Sequence, residues 1–219
     1  MDDLRGFQRT KYLGGGKKHV SMPIYLSDQC YRAVAKMYPY LLPREFSDTD
    51  IVRHVAKLDF KRIFSFEPFT AAGLKMTPLP LIHGEDFISN GYAFSLNKTN
   101  ITSSSPLSES KEDKINVIYL SDLSRMPEKT LDYIRKHTPQ PVHILVVDAL
   151  LTGDKLNPVH YNLNQAIELA RCLKAKKTYV VGMNCDDFLP HDEMNEKLRK
   201  DLEGDVDIQL AFDGLVIDI

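Results

Sequence analysis

The chain has 219 residues, enough for one sizeable domain with its own core, and its 43% hydrophobic and 26% charged content lies in the ordinary globular range. A formal net charge of −2 gives no overall basic footprint, so nucleic acid is not an expected partner. Three scattered cysteines (Cys30, Cys172, Cys185) with no C-x-x-C pair exclude a disulfide framework and a zinc ribbon, and no stretch approaches the ~20 apolar residues of a membrane helix. No signal-peptide pattern opens the chain, so a cytoplasmic, reducing location is the expectation.

A polar opening runs into the Gly14-Gly15-Gly16-Lys17-Lys18 loop, after which HVSMPIYL reads as a strand. SDQCYRAVAKMYPYLL follows as a helix, with Ser27 as its N-cap and Pro39 and Pro43 closing it. Two strands are expected around the Ala71-Ala72-Gly73 turn, and GYAFSL as a third strand in a hairpin with the second. Residues 97–114, rich in Ser, Asn and Lys without periodicity, read as an exposed insertion loop. INVIYLSD is a buried strand, and a helix begins at Pro127. Beyond it, strand VHILVVDAL, helix NLNQAIELARCLKAK, strand KTYVVGM and helix DEMNEKLRKDLE alternate. DIQLAFDGLVIDI closes the chain as a hairpin turning at Asp213-Gly214. This order suits an α/β layered fold of mixed sheets with helices outside, as one domain over 1–219.

Chemistry-bearing residues gather at strand ends, where one rim of a layered fold brings them together. His83 ends LPLIHG, Asp122 ends VIYLSD, and Cys185 follows YVVGM, while His160 lies in the loop opening a helix. Each also has a plain alternative. His83 suits a capped or solvated histidine, Asp122 an Asx-turn, His160 a residue packed on its helix, and Cys185 a small buried thiol. Asp148 stands apart, because a carboxylate inside the apolar run LVVDALL costs free energy unless it is paired. His191 is a minor candidate, and His19, His54, His137 and His143 read as surface residues.

Taken in order, TPLPLIHG…GYAF (77–94), VIYLSDLSRMP (118–127), LVVDALL…NPVHYNLNQAIELA (145–170), TYVVGM (178–183) and IQLAFDGLVI (208–217) resemble the metallo-β-lactamase superfamily. The closer similarity is to its phosphodiesterase branch, which includes the phosphoribosyl cyclic phosphate phosphodiesterases; ribonuclease Z enzymes are more distant. MPIYLSDQCYRAVAKMYPYL (22–41) is similar to the strand-helix segment of that branch. The resemblance implies an αββα sandwich holding two divalent metal ions, zinc or manganese, that activate water against a phosphodiester. By position, His83 resembles a metal ligand and Asp122 the aspartate that bridges both ions. His160 resembles the histidine that binds the substrate phosphate or protonates the leaving oxygen. Asp148 resembles an acid that orients a ligand from behind, and Cys185 stands where relatives carry a histidine ligand.

In that family a His-x-His-x-Asp-His run supplies most metal ligands and precedes a Gly-apolar-Asp-Asp-Leu/Ile-Arg stretch. Here Met1-Asp2-Asp3-Leu4-Arg5 resembles the downstream stretch, so the chain is expected to begin inside the domain, N-terminally incomplete. On that expectation it binds one ion weakly or none, and is inactive alone, because a catalytic zinc takes about three protein ligands plus water. The expected substrate is a small cyclic or nucleotide-like phosphodiester, and an exposed inner sheet edge would favour a homodimer. The alternative is a metal-poor relative that binds a nucleotide or a protein without catalysis.

Overall fold

The computed structural model describes residues 10–13, 16–19, 21–42, 56–97 and 114–217. The Met1–Arg5 stretch and nearly all of the loop expected over 97–114 lie outside them. The chain divides into two compact units, Met1–Phe64 and Ser65–Ile219.

In the first unit, β1 (Thr10–Leu13) and β2 (Gly16–His19) form an antiparallel pair. Strand β3 (Met22–Leu26) runs parallel to β4 (Leu58–Arg62), with α1 (Asp28–Met37) between them in sequence. The Ser27 hydroxyl accepts the Cys30 N–H at 3.2 Å, which caps α1 as its sequence predicts. Leu41, Ala56 and Leu58 form a small core there with Met22, Ile24, Tyr38 and Phe60.

The second unit is built on a seven-stranded mixed sheet in the order β11-β10-β9-β8-β7-β6-β5. Its antiparallel half is β5 (Phe69–Ala71), β6 (Leu74–His83), β7 (Phe87–Asn97) and β8 (Lys114–Leu120). Its parallel half continues through β9 (Ile144–Asp148), β10 (Lys177–Val181) and β11 (Ile208–Leu210). Helices α2 (Glu128–His137), α3 (Leu163–Leu173) and α4 (His191–Asp201) connect these parallel strands in turn. The described residues form a mixed α/β fold with one large sheet and four α-helices.

Residue alternation explains how both sheet faces are used. Ile118, Leu120, Leu145, Val147 and Val180 join the main core with Ile134 of α2, Ala166, Ile167 and Ala170 of α3, and Met194 and Leu198 of α4. Their alternates Val117, Ile144 and Tyr179 form a second cluster with Phe94 and Val146. A capping box, Asn162 with Gln165, starts α3, and Lys174 in the left-handed region ends it.

Pro78 and Pro80 sit in β6 beyond the three residues that pair with β5, where a missing N–H leaves no ladder bond unmade. The C-terminal segment departs from its sequence reading. After β11 the chain turns at Asp213-Gly214, with Leu215 N–H bonded to Phe212 O, and forms no return strand through residue 217. Leu215 and Ile217 instead pack on the second cluster, so burial there wins over edge pairing. Among the described residues no helix is long and apolar enough to cross a membrane.

Candidate metal-binding site

Strand β6 delivers His83 as its last residue, and the chain turns through Gly84 (φ +83°) into β7, which sets Phe87 opposite His83. Asp122 reaches the same place by a crossing. Strand β8 pairs with β7 up to Tyr119 opposite Tyr92, and the chain then passes over β7 toward β6. A side chain at Gly91 would block that passage, since a Cβ there would lie 2.7 Å from both the Tyr119 carbonyl and Leu120 Cδ2. Beyond the crossing, Ser124 N–H donates to Ile82 O at 2.7 Å and Ile82 N–H to Arg125 O at 3.2 Å. The Ser124 hydroxyl accepts the Gly84 N–H at 3.1 Å and donates to Ile82 O at 3.2 Å. The two loops bearing His83 and Asp122 are thereby fastened to each other. Asp122 itself is in the left-handed region (φ +56°), and its carbonyl accepts the Ser89 hydroxyl at 2.6 Å. A strained non-glycine residue held by its surroundings is a feature of functional sites.

His160 arrives by a lasso. The chain leaves β9 at Asp148 and is closed by two bonds: Leu150 N–H donates to Tyr161 O and Leu163 N–H to Leu151 O, both at 2.8 Å. Inside the lasso, Asn157 Oδ1 accepts the Val159 N–H at 2.9 Å and the His160 N–H at 3.1 Å, an Asx-turn that fixes the backbone before the histidine. The Asp187 carboxylate holds the other side, taking the Thr152 N–H at 2.6 Å, the Thr152 hydroxyl at 2.8 Å and the Lys155 ammonium. The Lys155 hydrogen bond first, then those from Thr152, hold its pKa down to about 2.

The result is one convergent group. Ligand atoms of His83, Asp122 and His160 all lie within 4.8 Å of one another, and the two imidazole rings stand 4.9 Å apart at 68°. Each histidine spends its Nδ1 on a backbone or buried partner. His83 Nδ1 donates to Val159 O at 2.7 Å, and His160 Nδ1 to Asp148 Oδ2 at 2.6 Å. A proton held at Nδ1 leaves the Nε2 lone pair of the neutral ring free, the form a metal ligand or a proton acceptor needs.

Asp148 is the buried anchor behind this group, 1% exposed. Burial pushes its pKa above the usual carboxylate value, while the His160 hydrogen bond and the Leu123 N–H pull the other way. Its carboxylate occupies the space that a side chain at Gly182 would fill: a Cβ on that glycine (φ +74°) would overlap Asp148 Oδ1. Asp148 therefore meets the β8 loop through Leu123, the lasso through His160 and the end of β10 through Gly182.

Cys185 is not among the three residues of this group. It is exposed, not a small buried thiol, and sits in a turn where Asn184 Oδ1 accepts the Asp186 N–H at 3.1 Å and Asn184 O the Asp187 N–H at 3.0 Å. The convergent group of the described residues does not include it, nor His191, whose Nε2 bonds Ala211 O at 3.0 Å. Residues that the strand-end pattern did not single out are Gly91, Ser124, Asn157 and Gly182. Two carry a readable signal, a glycine inside a strand pattern and an Asn-Pro step.

The family model of the beta-lactamase superfamily domain matches residues 1–183. The chain belongs to that superfamily. Solved structures share its fold: a diphosphatase from the PhnP family (26% identity, 90% of this chain and 57% of that one, TM-score 0.60). The metallo-beta-lactamase fold protein YhfI from Bacillus subtilis is 16% identical over 90% of this chain and 65% of that one, TM-score 0.55. Unliganded yeast PDE1 is 14% identical over 91% and 60%, TM-score 0.57. The chain thus spans less than two thirds of the length of each of these proteins. Comparison with curated proteins found no match.

Metallo-hydrolases of this superfamily imply divalent ions, and the donor set fits one. His83 and Asp122 offer an imidazole nitrogen and a carboxylate oxygen to an ion, two of the about three protein ligands that a catalytic zinc uses, with His160 within 4.8 Å of both. Zinc and manganese both accept such nitrogen and oxygen donors.

Proposed function

We propose that the site hydrolyses a phosphodiester or diphosphate bond of a small substrate, cyclic or nucleotide-like. The observation that carries this is the His83–Asp122–His160 group, in which both histidines commit Nδ1 to a hydrogen bond. The similarity to a PhnP-family diphosphatase supports the phosphoryl chemistry. A divalent ion bound by His83 and Asp122 would polarise the phosphoryl oxygens and lower the pKa of bound water. His160, its ring held by Asp148, takes a proton from the attacking water and then passes it to the leaving oxygen. The exposed Asp122 loop leaves one side of the group open to substrate.

The test is turnover of bis(p-nitrophenyl) phosphate and of a nucleotide diphosphate ester with added Mn2+ or Zn2+, in the wild type and in His160→Ala. We expect His160→Ala to keep its ion, by metal analysis, while losing about 10²–10⁴-fold in turnover, the usual contribution of a positioned acid–base group. Loss of the ion with the side chain would make His160 a ligand and overturn its assigned role; no turnover of any phosphate ester by a metal-loaded wild type would overturn the function. A second reading, a non-catalytic nucleotide- or protein-binding relative, is favoured by Cys185 standing outside the donor group. Stoichiometric, tightly held metal would exclude it.

A further inference from the structure

Three large apolar side chains stay in water on the segments that carry the two histidines. Phe87 is 60% exposed, Ile88 42% and Leu156 81%. Phe87 and Ile88 open β7 immediately after the turn from His83, and Leu156 lies in the lasso that delivers His160. None of the three is on slack chain. The turn before Phe87 is fastened through Gly84 N–H to Ser124, and the Arg125 guanidinium donates to Glu85 O at 2.8 Å. Leu156 lies between Lys155, paired with Asp187, and Asn157, the Asx-turn residue. Strand alternation turns Ile88, paired with Ile82, to the opposite face of the hairpin from His83, so Phe87 is the one of the two set beside the donor group.

Of the three, Phe87 has the most specific geometry. Its position opposite His83 puts both side chains on one face of the hairpin, and their rings meet edge-to-face, centroids 6.3 Å apart at 74°. The ring is thus held beside the donor group while most of its surface faces water. A phosphoryl group at the histidines would place the next ring of its substrate, one sugar unit away, against Phe87.

We propose that Phe87 is a specificity-determining residue, a stacking platform for a planar ring, such as a nucleobase, carried by the phosphoryl substrate. This rests on the phosphoryl-transfer reading of the His83–Asp122–His160 group. Stacking on an aromatic side chain tolerates any base, because every base presents a π-face. Phe87 therefore selects for the presence of a ring and not for its identity, and it contributes to binding rather than to the chemical step.

The experiment compares adenosine 5′-monophosphate with ribose 5-phosphate, which share the phosphate and sugar and differ by the base. Equilibrium dialysis against the full chain, with Mn2+, reads both dissociation constants. We expect the base to strengthen binding about fivefold, the low end of stacking on one aromatic residue. Phe87→Ala should bring the adenosine compound to the level of the sugar phosphate and leave the sugar phosphate unchanged, while Phe87→Trp should keep the preference. Equal binding of the two by the wild type, a preference that survives in Phe87→Ala, a loss of both ligands together in that variant, or no binding of either would each overturn the platform. Ester turnover without a base preference would sink the platform alone. A base preference without turnover would sink the phosphoryl-transfer reading and leave the platform standing.

Discussion

Gly182→Ala is the sharpest probe of how the site is held, because the structure contains its own control. At Gly182 the φ of +74° and the overlap of a Cβ with Asp148 Oδ1 act together. At Gly153, φ is +61° and a Cβ would meet nothing within 4 Å. The left-handed conformation costs an L-residue about 1–2 kcal/mol at either position. Only at Gly182 must the Asp148 carboxylate also move. It then loses alignment with His160 Nδ1 or the Leu123 N–H, and a hydrogen bond to a charged group contributes about 1.5–3 kcal/mol. Gly153→Ala should therefore destabilise by about 1–2 kcal/mol and Gly182→Ala by about 2.5–5 kcal/mol, measured by urea unfolding under one set of conditions. Turnover should fall in Gly182→Ala and hold in Gly153→Ala. Equal destabilisation of the two variants would refute the reasoning, since it would mean that the space above Gly182 is not what positions Asp148.

Gly91→Ala should cost about 1–3 kcal/mol as an overpacked position, because the clash is with the Tyr119 backbone carbonyl as well as a flexible leucine. Metal affinity should fall in the same variant, as the crossing that delivers Asp122 is displaced; unchanged affinity in isothermal titration would separate the crossing from the site. Asn157→Ala removes the acceptor of two N–H groups and should lower stability by about 1–2 kcal/mol in a thermal melt, with a larger loss of turnover than of stability.

Local patterns and long-range geometry divide the legibility of this protein. The strands VHILVVD and KTYVV, the Ser27 cap and the turn at Gly73 were readable, because each depends on residues within a few positions. The closing hairpin was misread because Asp213-Gly214 does form its turn, and what the following residues do is decided by an apolar cluster on strands distant in sequence. In the site, position along the chain was readable and relative placement was not. His83 and Asp122 lie at or just past strand ends and His160 in the loop that opens α3, as their patterns indicate, and Asp148, read inside an apolar run, is the last residue of β9. What brings three of them within 4.8 Å is a set of contacts between segments far apart: His83 with Val159, 76 residues on, and Ser124 with Ile82, 42 residues back. The two glycines that make room for this carry no chemistry of their own, so a search for reactive residues passes over them. Gly91 lets one loop cross and Gly182 lets one carboxylate sit. Cys185 shows the converse. Its residue type suits a ligand, yet backbone hydrogen bonds to Asn184 fold its segment into an exposed turn outside the donor group. In this fold, then, the convergence of the candidate donors follows from which loops are fastened to which, and the donor residues are only as useful as the backbone bonds that deliver them.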